Sequence, residues 1–259
     1  MRALGALRAL IVAVPLIAAA SAHAAGEVVT VTIDGAPQNV LFLAPSTPPR
    51  AAVVMFPGND GRIGIFPNGT ISRDGNFLIR TRAAWLARGF FFVAVDAAAG
   101  RAGAKGDRIG PSNQRAIAEI VRLVRQRTPA PIWLLGTSAG APAALAGAAS
   151  LPKGAIKGVA ISSPVSVPGE HDSVFEVPLD RVTVPVLIQI NREDACRSTP
   201  ISNAPRIKAA LTASPVVEIQ EFTGGDFPRS GPCEAFARHG FIGIEDQVVN
   251  AAATWILSH

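Results

Sequence analysis

Tyrosine occurs nowhere in the 259 residues, which excludes any chemistry that depends on a phenolic acid. Charge is also scarce. Charged residues make up 17% of the chain and hydrophobic ones 49%, so neither a disordered chain nor a coiled coil fits. The formal net charge is +5, but the basic residues are scattered rather than clustered, which leaves nucleic-acid binding without support. Past the N-terminal segment no run of 18 apolar residues occurs, so no stable membrane insertion is expected once that segment is removed. What remains is a chain long enough to bury a large core as one domain without a metal or other staple.

The N-terminal segment reads as an address. Residues 1–10 carry Arg2 and Arg8 and no acid, residues 10–20 are apolar, and Ala22-His23-Ala24 supplies a small–x–small cleavage site. This is the layout of a secretory signal peptide over residues 1–24, leaving residues 25–259 as a single mature domain. The apolar run is shorter than the ~20 residues a spanning helix needs, which argues against an uncleaved anchor. Export to a bacterial periplasm or the outside medium is the expectation. In such a compartment Cys196 and Cys233, the only two cysteines, are expected to form one disulfide rather than remain as buried thiols.

Hydrophobic patterning alternates between strands and helices. Glu27–Ile33 and residues 39–43 flank a turn at Asp34-Gly35 and read as an antiparallel pair. Ala51–Phe56, Phe90–Val95 and residues 132–135, 156–161, 186–190 and 216–222 are short apolar runs suited to strands buried on both faces of a parallel sheet. Helical stretches are read at 77–88, 114–127, 141–149, 204–211 and 245–257. In the second of these, Ile117, Ile120, Val121 and Val124 share one face. The pattern predicts an α/β domain: a doubly wound, mostly parallel sheet of about eight strands with helices on both faces. One long irregular stretch, residues 57–76, interrupts it, and loops of that length are usually functional.

Gly136-Thr137-Ser138-Ala139-Gly140 has the form G-x-S-x-G between a predicted strand and a predicted helix. Gly136 and Gly140 allow the tight turn that thrusts Ser138 out as a nucleophile, and the Ala139 N–H at the helix start faces any oxyanion formed there. A serine hydroxyl needs a base and a group to orient that base. In this architecture they follow in the order serine, acid, histidine. Asp194, just past the strand ending at residue 190, is the candidate acid, with Glu193 beside it as the rival. Of the four histidines, His23 lies in the leader and His259 is the last residue. His239, after the last strand and before the last helix, is favoured as base over His171, which precedes the acid. Cys196 and Cys233 flank these two candidates, so their disulfide would tie the acid loop to the base loop. The second oxyanion donor is expected from Pro57-Gly58-Asn59-Asp60-Gly61, with Gly58 permitting close approach and Asn59 N–H donating; a register shift of one residue remains open.

The strand–GTSAG–helix, the strand leading to Asp194, and Arg238-His239-Gly240-Phe241 together resemble the α/β-hydrolase superfamily over residues 51–259. Residues 57–61 and 75–80 also resemble secreted bacterial members of it. The resemblance implies the α/β-hydrolase fold, a Ser138–His239–Asp194 triad, no cofactor or metal, and hydrolysis of a small-molecule ester or amide. Two departures stand out: Pro57 occupies the usual histidine position, and no large lid is inserted between Ile161 and Val186. Ester hydrolysis is the favoured activity, with a serine peptidase or amidase, or a non-catalytic binding protein on the same fold, as alternatives. Phe66, Phe77 and Trp85 are candidate pocket walls, with core packing favoured for the last two. Arg62, Arg73 and Arg80 are candidate anion contacts, with solvated loop charge favoured.

Overall fold

The computed structural model describes residues 26–259. The signal-peptide reading, including His23, therefore lies outside the described residues. Eight strands form one sheet: β1 (Glu27–Ile33), β2 (Ala36–Leu43), β3 (Ala51–Phe56), β4 (Phe90–Val95), β5 (Ile132–Thr137), β6 (Gly158–Ser162), β7 (Val186–Asn191) and β8 (Val217–Phe222). Their spatial order is β1-β2-β4-β3-β5-β6-β7-β8. β1 and β2 pair antiparallel, β2 joins β4 antiparallel, and every later pairing is parallel.

Alternation along each strand sends side chains to two cores. Ala52, Val54 and Phe56 of β3 and Phe91, Val93 and Val95 of β4 face one core. Against them pack α3 (Pro111–Arg127), whose Ile117, Ile120 and Val124 are fully buried, and α4 (Ala141–Ser150). Val53 and Met55 of β3 and Phe90, Phe92 and Ala94 of β4 face the other. That side is covered by α1 (Phe77–Arg80), α2 (Arg82–Ala87) and α6 (Glu245–Ser258), with Trp133 and Trp255 meeting edge to face at 5.4 Å. A further helix, α5 (Ala204–Ala210), packs beside the first core through Ile207. Among the described residues no helix is long and apolar enough to cross a membrane.

The single helix expected over 77–88 is two. Thr81 Oγ1 donates back to the carbonyls of Phe77 and Leu78, at 2.8 and 3.2 Å, and the chain breaks there into α1 and α2. The strand expected from residue 156 starts at Gly158, because the chain before it is still in a turn that the Ala155 amide closes on Pro152 O.

The long stretch 57–76 is irregular but pinned. Asp96, just past β4 and buried, accepts the amides of Ile63 and Ile65 on its two oxygens, both at 2.8 Å. Arg73 pairs with Asp60 at 3.0 Å across the same loop. Parallel strands all run toward one rim, so the segments after β3, β5, β7 and β8 are gathered at that rim.

Candidate active site

β5 delivers Ser138. The residue sits at φ +54°, a left-handed conformation strained for a side chain with a Cβ, and opens a single tight helical turn that runs on into α4. Close approach makes the flanking glycines necessary. A Cβ on Gly136 would lie 2.7 Å from Ala141 Cα, and one on Gly140 would overlap the Phe56 carbonyl oxygen and lie 2.8 Å from Pro57 O. The amides that follow Ser138 open a helix and have no carbonyl one turn earlier to receive them. Ala139 is buried there at 1% exposure. From the neighbouring strand end, Val165 N–H donates to Ser138 O at 3.2 Å and steadies the turn.

β7 delivers Asp194. Past its last residue, Asn191 Oδ1 accepts the Glu193 amide at 2.9 Å and Asn191 O accepts the Asp194 amide at 3.0 Å, folding the acidic pair back on the strand. The Asp194 carboxylate is enclosed, its side chain 1% exposed. Oδ1 accepts Cys196 N–H at 2.9 Å, while Oδ2 accepts Thr199 Oγ1 at 3.0 Å and His239 Nδ1 at 2.9 Å. Glu193 points away and meets Arg238 Nε at 3.3 Å. Of the two adjacent carboxylates, the structure brings only Asp194 to the histidine.

His239 lies in a single turn, Arg238–Gly240, ahead of α6. Ser163 Oγ, itself on a strained residue at φ +42°, donates to His239 O at 2.9 Å, and Phe241 behind it is left-handed at φ +58°. Nδ1 faces a carboxylate, which can only accept, so Nδ1 is the donor in this contact. Nε2 is buried and makes no hydrogen bond to any described residue, the Ser138 hydroxyl included. Ser138 and His239 nevertheless line the same cavity. The Cys196 and Cys233 sulfurs are bonded, joining the segment after Asp194 to the one before His239. His171 does not line this cavity.

The cavity measures about 370 Å³. Its walls come from the Pro57–Ile63 loop, from Arg73 and Gly75–Phe77, and from Cys233–Phe236, with Thr137, Ser138, His239 and Gly240 at its base. Gly58 lies against the serine, so closely that a Cβ there would be 2.9 Å from Ser138 Cβ. Asn59 beside it is left-handed at φ +54°. Neither the Gly58 nor the Asn59 N–H donates to any described residue.

The other candidates fare unevenly. Phe77 lines the cavity, whereas Trp85 is buried edge-on against Phe90 and Phe66 is half exposed, neither reaching it. Phe236 is a wall that sequence reading missed, half-buried beneath the Arg80 and Arg229 guanidiniums. Arg80 is engaged elsewhere, donating to Glu245 and to the carbonyls of Gly75 and Gly240. Burial draws Asp60 upward, yet the Arg73 guanidinium and the Arg62 amide hold its carboxyl below the usual carboxylate value. Arg62 and Arg73 both line the cavity. Among the described residues no group of three or more histidine, cysteine or acidic side chains is placed to hold a metal ion.

No protein-family model matches the sequence, and a search of curated proteins finds no relative. Solved structures do match by shape. A dienelactone hydrolase from Anabaena variabilis superposes with a TM-score of 0.63 at 13% identity, covering 90% of this chain and 97% of that one. A soluble variant of monoglyceride lipase from Saccharomyces cerevisiae gives 0.62 at 13% identity, over 89% and 94%. An acylaminoacyl peptidase from Pyrococcus horikoshii gives 0.59 at 14% identity, over 89% of this chain and 41% of that one. With its strand order, its G-x-S-x-G turn after β5 and these likenesses together, the chain has the fold of the α/β-hydrolase superfamily.

Proposed function

We propose that the protein is a serine hydrolase that cleaves a small-molecule ester through an acyl-enzyme, with Ser138 as nucleophile, His239 as base and Asp194 as the acid that orients it. The observation that carries this reading is the 2.9 Å contact between His239 Nδ1 and Asp194 Oδ2, with His239 and the strained Ser138 lining one cavity. A buried carboxylate with three donors, a histidine among them, is costly to build and has an evident use in holding one tautomer.

In this reading the substrate carbonyl enters above Ser138. His239 Nε2 accepts the hydroxyl proton as Ser138 Oγ bonds to the carbonyl carbon, and the imidazolium is stabilised by Asp194. The developing oxyanion is met by the amides of Ala139 and Asn59. His239 then returns the proton to the leaving oxygen, and a water activated by the same Nε2 releases the acid. The Ser138–Nε2 bond absent here forms when substrate fills the cavity, as catalytic contacts commonly tighten on binding. The lipase and the dienelactone hydrolase among the similar structures support ester chemistry. The Cys196–Cys233 disulfide and the leader-like residues 1–24 support an exported mature domain of residues 25–259.

The test is intact mass of the folded mature protein after a fluorophosphonate probe, with Ser138→Ala alongside. One adduct, lost in the variant, is the expected result. An unlabelled wild type, with its cavity shown open, would overturn the reading in favour of a binding protein. A panel of p-nitrophenyl esters and anilides then separates esterase from amidase.

A further inference from the structure

Arg108 belongs to the loop between β4 and α3 and carries no sequence motif, yet its side chain reaches the candidate oxyanion segment. Its Nη2 donates to Pro57 O at 3.1 Å and to Asn59 O at 3.3 Å. The guanidinium also packs so tightly on Gly61 that a Cβ there would overlap it. These partners are carbonyl oxygens rather than carboxylates, an unusual use for a cation that is half removed from water.

The backbone of Arg108 is itself fastened. Asp172, 2% exposed, accepts Gly106 N–H at 2.6 Å on one oxygen and Arg108 N–H at 3.0 Å on the other. Asn113 Nδ2 donates to Arg108 O at 2.6 Å. Asp172 comes from the segment between β6 and β7, and Asn113 from the first turn of α3. Burial pushes the guanidinium down from its ordinary value, while Asp107, Asp60 and Asp172 pull it back up, so it remains a cation near its carbonyl partners.

The consequence follows from peptide geometry. In a trans peptide the C=O of one residue and the N–H of the next point in opposite directions. No peptide bond here is cis. Pro57 O turned to Arg108 directs Gly58 N–H the other way. Gly58 O is taken by Gly61 N–H at 3.0 Å, which directs Asn59 N–H away from that turn. Asn59 O is again held by Arg108. Three successive carbonyls are thus engaged, and the two intervening amides have no described partner.

We infer that Arg108 is a positioning residue for the oxyanion loop, its guanidinium holding the Pro57 and Asn59 carbonyls on either side of the Gly58–Asn59 peptide, so that the Asn59 amide, whose own carbonyl partner Gly58 O is held by Gly61, is aimed before substrate arrives. The inference rests on the serine-hydrolase reading. Donors that must reorient during reaction stabilise an oxyanion less than donors already fixed. The clamp therefore acts on the rate of attack rather than on substrate affinity. Nη2 bonds both carbonyls while the rest of the flat guanidinium packs on Gly61, and a lysine ammonium at this position reproduces the charge without that planar contact.

The experiment measures phosphonylation by the fluorophosphonate probe, separating the maximal labelling rate from the probe's dissociation constant. The proteins are the wild type, Arg108→Lys and Arg108→Ala, the last also with guanidinium ion added below denaturing concentration. Deleting an oxyanion donor commonly costs about 10²–10³ in rate, so loss of its clamp is expected to slow labelling about ten- to a hundredfold in Arg108→Ala. The dissociation constant should stay within about twofold, Arg108→Lys should fall between, and guanidinium should restore part of the rate without raising the melting temperature. Should Arg108→Ala fail to fold, Arg108→Lys decides alone. Wild-type labelling at Ser138 with an unchanged rate in the folded variants overturns the clamp and leaves the hydrolase reading standing. So does a loss that follows melting temperature alone and gains nothing from guanidinium. A wild type that does not label overturns the hydrolase reading itself and this inference with it.

Discussion

Thr199 Oγ1 stands 3.0 Å from Asp194 Oδ2, the same carboxylate oxygen that His239 Nδ1 reaches at 2.9 Å. The hydroxyl is buried at 3% exposure and lies 3.3 Å from Nδ1 as well, so it closes a three-membered polar cluster. Thr199→Val keeps the shape and removes a donor from a buried charge. Hydrogen bonds to charged groups contribute about 1.5–3 kcal/mol, so turnover of p-nitrophenyl acetate should fall about tenfold or more with KM little changed. Thr199→Ser should recover most of it. Equal turnover in threonine and valine proteins would show that the hydroxyl serves folding only.

The disulfide is the second handle on the same geometry. Cys196 follows Asp194 by two residues, and its amide bonds the carboxylate directly. Its partner Cys233 lies on the cavity wall ahead of His239. The link closes a sequence separation of 37 residues, which chain entropy values at up to about 4 kcal/mol. Paired Cys196→Ala and Cys233→Ala changes should therefore lower the melting temperature by several degrees. Turnover at temperatures where the variant stays folded should drop too, because the acid and base loops are then free to drift. A variant that melts early but turns over normally when folded would limit the bond to stability.

Much of this architecture was legible in the sequence, for a physical reason. Strands buried on both faces cannot hide their hydrophobicity, so β3 to β7 were visible as apolar runs. By contrast, β1 showed through alternation, and β8, read as buried on both faces, is only partly buried at the sheet edge. β1, β3 and β4 were read at their observed bounds. The rim residues that follow a strand end, Ser138 and Asp194, were readable because the chain order of this architecture fixes where to look. His239 emerged because histidine is so scarce. Arg108, Asp172, Thr199 and Ser163 were invisible because each works through a contact dozens of residues away, from irregular segments without periodicity. Nothing local distinguishes an arginine that clamps two carbonyls from one that faces water. The break at Thr81 was hidden for a different reason: its hydroxyl competes for helix carbonyls, a choice that apolar spacing does not record.

Asp60 gives a pH signature. Burial raises it, but the Arg73 ion pair and the Arg62 amide leave its carboxyl below the ordinary 3.8. A carboxyl depressed on folding stabilises the native state at pH above its unfolded value, and that contribution disappears as pH falls through the lower folded value. Asp60→Asn should accordingly melt slightly below the wild type from pH 5 to 7, and the two should converge in strong acid. Arg73 is half exposed and Asp60 about a quarter so, which limits the difference to less than about 1 kcal/mol after solvent screening. A gap that persists unchanged into acid would mean that the asparagine disturbs the loop by shape rather than by charge.

Gly58 offers the sharpest steric test, because its neighbour is the candidate nucleophile rather than the core. A Cβ added there meets Ser138 Cβ at 2.9 Å, Thr137 O at 3.1 Å and Ser138 Oγ at 3.5 Å. The first two are rigid, so either the serine turn or the Pro57–Gly61 loop must shift. Its φ does not lie in the left-handed region, so alanine brings no backbone strain and the effect is one of contact alone. Misplacing reacting groups by about 1 Å can cost about 10² in rate, and Gly58→Ala should lose that order of fluorophosphonate reactivity while its melting temperature stays close to wild type. Gly140→Ala makes the control. Its Cβ would press on the Phe56 and Pro57 backbone between β3 and α4, so stability and reactivity should fall together. If Gly58→Ala instead labels as fast as the wild type, the loop has room to yield, and a close, pre-set oxyanion segment beside Ser138 is no longer tenable.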